Sequence, residues 1–246
     1  MALLAEEQKQ LDDIAQKYYM EPILLELNTY ITEQGLIASL DYIHDALRKA
    51  KDKVDILLEN RKAQGKIRHI DQARKSIAGA AFSNSLIYLF LKIKKADRVH
   101  DHIFITDKTT QKLFKEIATI YVDGEQQKPD MDIIIYSLDE KSTLKQCLIL
   151  SLKTSLRERA GQTYKWKLLL EIASSDNPLR AKYNIAYSNR QMPLIGFATV
   201  NFYNEINQAQ HRGMFKFFDQ SFIAKPLESD FIARLSSLID FINHRL

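Results

Sequence analysis

The sequence predicts an α/β fold in which a mixed central sheet is flanked by helices and preceded by an all-helical N-terminal part. Three observations carry this reading. Apolar residues recur at helical spacing up to about residue 96. The pattern then shifts to short apolar runs alternating with helical stretches. Cys147-Leu148-Ile149-Leu150 forms an unbroken apolar run of the kind buried on both faces of a sheet.

The elements follow in order. Leu3, Leu4, Leu11, Ile14 and Tyr18 mark a first helix, Glu21-Pro22 opens a second, and Gly35 separates a third over residues 36 to 63. That third helix sets Leu40, Ile43, Leu47, Val54, Leu57 and Leu58 against a face carrying Arg48, Lys49, Lys51, Lys53, Arg61 and Lys62. Such a face is either a solvated surface or a flank for a polyanion. Gln64-Gly65-Lys66 stops the pattern, and a new helix runs over residues 68 to 96. The chain is therefore expected to divide into an N-terminal helical domain, 1–65, and a core domain, 66–246. Ala78-Gly79-Ala80-Ala81 offers small residues for close packing of the new helix on a sheet. No Ser- or Pro-rich linker intervenes, which predicts two parts packed together rather than tethered.

Beyond residue 100 the pattern predicts a strand at 102–106, a helix over 109–120, and strands over 132–138 and 146–152. It continues with a helix over 160–173, a strand over 194–202, a short strand near 221–224 and a closing amphipathic helix over 228–245. Asp139-Glu140-Lys141-Ser142 reads as a tight hairpin turn, which makes the strands on either side of it antiparallel neighbours.

Composition excludes several classes. With 46% hydrophobic and 27% charged residues the chain is an ordinary globule rather than a disordered one. The single cysteine, Cys147, rules out an intrachain disulfide or a Cys-rich zinc site and reads as core filler. No apolar run approaches the roughly 18 residues that span a bilayer, and MALLAEEQKQLDDIAQ carries acids where a signal peptide carries bases. The expected location is the reducing cytoplasm. A net charge of +4 suits a polyanionic partner without requiring one. There is no Gly-rich phosphate loop, and the histidines show no metal-ligand spacing beyond His100-x-His102.

The chemistry concentrates between residues 128 and 171. Lys128-Pro129-Asp130 leads into one strand and Ser151-Leu152-Lys153 closes the next, so the hairpin brings a carboxylate and an ammonium side by side. Phosphodiester hydrolysis at neutral pH needs a divalent cation to neutralise developing charge and acidify a bound water. Asp130 supplies a hard oxygen ligand of the kind Mg²⁺ prefers, and Lys153 a positive charge beside the attacking water. Just beyond, Arg157 and Arg159 are planar donors that match guanine O6 and N7, and Glu158 is an acceptor for cytosine N4.

Lys153-Thr154-Ser155-Leu156-Arg157-Glu158-Arg159 resembles the Lys-Thr-x-x-Arg-(Asp/Glu)-Arg block of PD-(D/E)xK type II restriction endonucleases that recognise CCGG or CCNGG, the BsaWI-like enzymes among them. The resemblance continues through residues 161–167 and 210–219 and covers roughly residues 70 to 225. It implies a PD-(D/E)xK core, with Asp130 and Lys153 catalytic and Arg157, Glu158 and Arg159 reading the CCGG core. It also implies Mg²⁺ as cofactor, double-stranded DNA with a palindromic site as substrate, and a cognate DNA methyltransferase in the same system. One Arg-Glu-Arg set reads one half-site, so a homodimer is expected.

Two departures shape the remaining expectations. The generic motif has an acid two residues before the Lys, where this chain has Ser151, and a hydroxyl is no substitute for a carboxylate as a firm Mg²⁺ ligand. Relatives move that acid to the following helix, at a point where this chain has Trp166 and Lys167. The nearest helix acid past Arg159 is Glu171, which becomes the expected second catalytic acid and metal ligand, with Glu116 as runner-up. Phe82-Ser83-Asn84 lacks the Glu that many relatives carry in the first core helix, which weighs against a two-metal site. Two alternatives stay open: a non-cleaving DNA-binding module, favoured by Ser151, and a non-specific repair nuclease of the same superfamily.

Overall fold

A computed structural model describes residues 2–128, 131–188, 192–206 and 209–246; side chains at 113, 157–162 and 210–211 also lie outside the described set. Four helices open the chain: α1 (Ala5–Ala15), α2 (Met20–Gln34), α3 (Ile43–Ala63) and α4 (Ile70–Lys95), with a 3₁₀ turn at Ala38–Tyr42. The break before that turn falls at Gly35, whose φ of 89° lies in the left-handed region that only glycine adopts without strain.

The sheet forms from the apolar runs. Strands β1 (Ile103–Thr106), β4 (Ile133–Leu138), β5 (Leu144–Lys153), β7 (Leu194–Thr199), β8 (Gln220–Ile223) and β9 (Ala233–Arg234) make six strands in the order β1-β4-β5-β7-β8-β9. Pairing is antiparallel from β1 through β5 and parallel from β5 through β9, the mixed sheet the sequence predicts. Helices α5 (Lys112–Ala118), α6 (Arg157–Ser174), α7 (Pro178–Lys182), α8 (Ala209–Phe215) and α9 (Leu238–Arg245) connect and flank it.

Alternation along the strands assigns the two faces. Ile133, Ile135, Leu148, Leu150 and Leu152 belong to the apolar cluster that includes α1 to α4 and α9, whereas Ile134, Cys147 and Ile149 belong to the cluster built with α5, α6 and α8. Each strand is thus buried on both sides, as a parallel-type core strand should be. The first cluster runs without a break from Ile14 and Leu27 to Leu150, so the N-terminal helices are the cover of one sheet face. Gly196 on β7 shows how tight this packing is. A Cβ there would meet Leu150 Cδ1 at 2.9 Å and Leu148 Cδ1 at 3.0 Å.

Several expectations need correction. The helix placed over 109–120 is shorter, because Ile120–Val122 is strand β2, which pairs with β3 (Glu125–Gln127) and β6 (Ile185–Ala186) in a small second sheet. The closing helix starts at Leu238 rather than 228, after β9 and a 3₁₀ turn at Leu235–Ser237; β9 extends the parallel sheet and uses residues that helical periodicity had claimed. Helix α4 does contain an 18-residue stretch apolar enough to cross a bilayer, and 61% of that stretch is buried inside the protein as core. Gly79 has no atom within 4 Å of a built Cβ, and with Ala78 and Ala80 it borders an open cleft rather than the sheet. Cys147 fills the core as expected, and burial pushes its thiol up to about 12.

One buried ion pair fastens α1 to this core. Lys94 Nζ, 2.7 Å from Glu7 Oε1, also donates to Ile103 O at 2.7 Å and lies 4.0 Å from the centre of the Phe104 ring. Both side chains are nearly inaccessible, 2% and 8% exposed, so removing one partner strands a charge in the core. Lys94→Met is expected to cost about 3–5 kcal/mol of unfolding free energy, and Glu7→Leu combined with Lys94→Met to recover most of it. Urea denaturation of both variants checks this; equal losses would contradict it.

Candidate active site

The site begins with strand register. Ile133 of β4 pairs with Leu150 of β5, which sets Asp132, just ahead of β4, beside Ser151. Asp132 Oδ2 accepts from Leu152 N at 2.7 Å, from Lys153 Nζ at 3.0 Å and from Ser151 Oγ at 3.5 Å. The Asp132 side chain keeps 31% of its surface exposed, whereas the Lys153 side chain is 8% exposed and held among the strand ends. Asp132 is a candidate that the sequence pattern did not single out, although it directly precedes the apolar run Ile133-Ile134-Ile135, two residues after the Pro-Asp.

Beyond Lys153 the chain turns into α6, and a second loop braces that turn. Phe202 N donates to Thr154 O at 3.1 Å, and Ser155 Oγ and Leu156 N donate to Glu205 Oε2 at 3.1 and 2.7 Å. Glu205 is itself fixed: its N–H donates to Asn201 Oδ1 at 2.7 Å, and Lys225 Nζ donates to Asn201 O and Asn204 Oδ1, both at 3.0 Å. Burial lowers the Lys225 pKa, with Asp45 opposing that shift. Asn201 and Asn204 both adopt positive φ, 47° and 54°, where asparagine is tolerated better than most residues.

Helix α6 is seated at two points. Thr163 Oγ1 lies 3.3 Å from Ser151 Oγ, and Lys167 Nζ donates to Asp219 Oδ2 at 2.8 Å. Trp166 is buried in the core as expected. Asp219 Oδ2 also accepts from Ile195 N at 2.7 Å, at the start of β7, while Lys153 pairs with Thr199 at its end. Four strand residues separate these points, about 13 Å. Glu171 lies one turn beyond Lys167, paired to it at 3.2 Å, and its side chain is 49% exposed. The fold therefore does not bring Glu171 to Lys153, because α6 runs back toward the opposite end of the parallel strands. Glu116, on α5, pairs with Lys112 at 3.7 Å on the surface and is not among the residues lining the cleft.

Asp130 lies outside the described residues, as do the side chains of Arg157, Glu158 and Arg159; the backbone places those three in the first turn of α6. Asp132, Lys153, Thr154, Ser155, Tyr164 and Glu205 line one wall of a cleft of about 2040 Å³. Gly213 and Met214 of α8 and Phe217 border it, and Tyr164 stacks on Phe217 with ring centres 5.3 Å apart.

A hard divalent cation suits this donor set. Mg²⁺ takes oxygen ligands and is commonly held by one or two carboxylates, with the rest of its shell filled by water and substrate phosphate. Asp132 offers an exposed carboxylate oriented by its bonds to β5, and the Ser151 hydroxyl lies beside it. Among the described residues there is no group of three His, Cys, Asp or Glu side chains of the kind that cages a metal by itself. The fit is to an ion shared with substrate.

Comparison with known families accords with this geometry. The family model of the BsaWI restriction endonuclease type 2 matches residues 110–243, more than half of the chain. No curated protein matches it. The matched region holds β4, β5, α6 and α8, and hence Asp132, Lys153, the Arg157–Arg159 block and Glu205. The cleft is the place on this sheet where a DNA strand could meet a carboxylate and an ammonium together, and the chain belongs to the BsaWI family of type II restriction endonucleases, enzymes that cut DNA at specific sites.

Proposed function

We propose that this restriction endonuclease cleaves double-stranded DNA with Mg²⁺ at a palindromic site containing CCGG or CCNGG, using a PD-(D/E)xK site centred on Asp132 and Lys153. One observation carries the reading: the Asp132–Lys153 pair, 3.0 Å apart on the cleft wall, is followed within four residues by the Arg157-Glu158-Arg159 segment that starts α6. A divalent ion bound here supplies charge neutralisation at the scissile phosphate and a more acidic water. Asp132 is the carboxylate that holds it, and Asp130, two residues earlier, is a second candidate ligand. Lys153 orients the attacking water and faces the charge developing on the phosphate. Glu171, expected from sequence as a ligand, is replaced in this reading by Asp132, and Glu205 positions the turn between Lys153 and α6.

In the major groove, Arg157 and Arg159 pair with guanines and Glu158 with cytosine amino groups. A palindromic site needs two such sets, so the working unit is a homodimer, and a methyltransferase of the same specificity protects the host site. Residues 1–65 and 66–246 act in this reading as two functional parts of one packed molecule.

Two predictions follow from these roles. Digestion of a plasmid of known sequence with Mg²⁺ should give discrete fragments ending at CCGG or CCNGG sites. Single-turnover cleavage should fall by at least about 10²-fold in Asp132→Asn and Lys153→Ala. Glu171→Ala should cut at close to the wild-type rate. Smeared products would make the enzyme a non-specific nuclease, and a fully active Asp132→Asn would remove the assignment of that carboxylate.

Specificity is expected to sit on the same segment. Arg157→Ala and Arg159→Ala should each lose about 1–3 kcal/mol of discrimination between a CCGG duplex and one with a core base pair changed. Competition binding at fixed salt measures this. Uniform weakening on every duplex would show that the arginines hold phosphates only.

A further inference from the structure

The second wall of the cleft lies outside the region that carries the family match. It is formed by α3 and α4, and Arg48, Lys51 and Lys75 line it opposite the catalytic residues. All three are exposed, and among the described residues no carboxylate pairs with any of them. On the same two helices, Arg74 and Lys53 already have carboxylate partners. Arg74 Nε bonds Asp55 Oδ1 at 2.7 Å, tying α4 to α3 and fixing the angle of the wall, and Lys53 meets Glu26 at 3.7 Å away from the cleft. Between the cations the wall is smooth: Ala78, Gly79 and Ala80 border the cleft, and a side chain at Gly79 would project into open space.

We propose that this wall is a second contact for the DNA backbone, in which Arg48, Lys51 and Lys75 each meet a phosphate while Asp132 and Lys153 face the scissile one. The inference rests on the cleft being where the duplex lies, as in the function proposed above. Charge complementarity selects the occupant. Three unpaired cations at a cleft mouth repel a second copy of themselves but match a polyanion, and the residues between them leave room for it. The N-terminal helices thereby gain a role besides covering the sheet: they grip DNA without reading its sequence, since phosphate contacts carry no base information.

The test is the salt dependence of binding, measured without Mg²⁺ so that the DNA stays intact, on two duplexes of equal length, one with the cleavage site and one without. Each phosphate contact contributes about 0.9 to the slope of log K against log salt, so Arg48→Ala/Lys51→Ala/Lys75→Ala should lower that slope by about 2.7 on both duplexes. Between about 50 and 200 mM salt the wild type should lose about 40-fold more affinity than the triple variant. Gly79→Glu, whose Cβ meets no other part of the fold, should weaken both duplexes while the urea midpoint does not fall, because a good helix former replaces a mid-helix glycine. An unchanged slope would overturn the proposal, as would intact DNA affinity combined with a smaller sedimentation coefficient, which would make the wall a self-association surface. The outcome is separable from the cleavage assignment: a lowered slope with no discrete plasmid fragments would keep the wall and remove the proposed specificity.

Discussion

The site depends on one carboxylate oxygen. Asp132 Oδ2 gathers the Leu152 N–H and the Lys153 ammonium, and so ties the approach to β4 to the exit of β5. Without it the Leu152 N–H at the end of β5 would have to be satisfied in some other way, at a cost of order 1–3 kcal/mol, and the largely buried Lys153 ammonium would lose a carboxylate partner. The same bonds aim the carboxylate, because an acid accepting from two fixed donors has little freedom left. Asp132 is a structural clip on one edge, and its partial exposure places the other edge in the cleft, where the proposed metal would bind.

From that clip the fold passes geometry outward. Lys153 ends β5, Thr154 to Leu156 form the turn, and α6 begins at Arg157, so three residues separate the proposed catalytic ammonium from the proposed reading segment. Glu205 and Phe202 hold that turn from the end of β7, and Thr163 and Lys167 seat the helix behind it. With the roles proposed above, a misplaced base contact would pull on the residue that positions the water. Such a link is one physical route from recognition to cleavage, since small displacements at a reacting centre are costly to rate.

Much of the fold was legible in the chain, for local reasons. The unbroken run at 147–150 marks a strand buried on both faces, and the Lys153-to-Arg159 block stands out as a candidate because all of it lies in one short segment. The acid was harder, because it depends on cross-strand register. Pairing shifts at the irregularity between Ser137 and Leu138, and this sets Asp132 rather than its neighbours beside Ser151. Glu171 lies away from Lys153, a separation not legible in the chain, because helical spacing gives a face but not the direction in which a helix leaves a strand. The small sheet of β2, β3 and β6 escaped for a similar reason: its strands are two or three residues long and meet only through tertiary contact. Arg48 and Lys51 were visible as part of a charged face on α3, but neither Lys75 of α4 beside them nor which cations are paired was; Arg74–Asp55 and Lys53–Glu26 appear only on folding.

The central claim is that Asp132 holds the metal with the DNA, and metal binding itself tests it most directly. Titration of Mn²⁺ into the complex with a site-containing duplex, followed by the loss of its free-ion resonance, reads the affinity without requiring cleavage. The account predicts that Asp132→Asn, which preserves shape and an acceptor for Leu152 N, weakens Mn²⁺ binding by at least about tenfold, the scale of losing a strong ligand interaction. Glu171→Gln should leave it unchanged. Undiminished Mn²⁺ binding in Asp132→Asn together with loss in Glu171→Gln would contradict the account and return the ligand to α6.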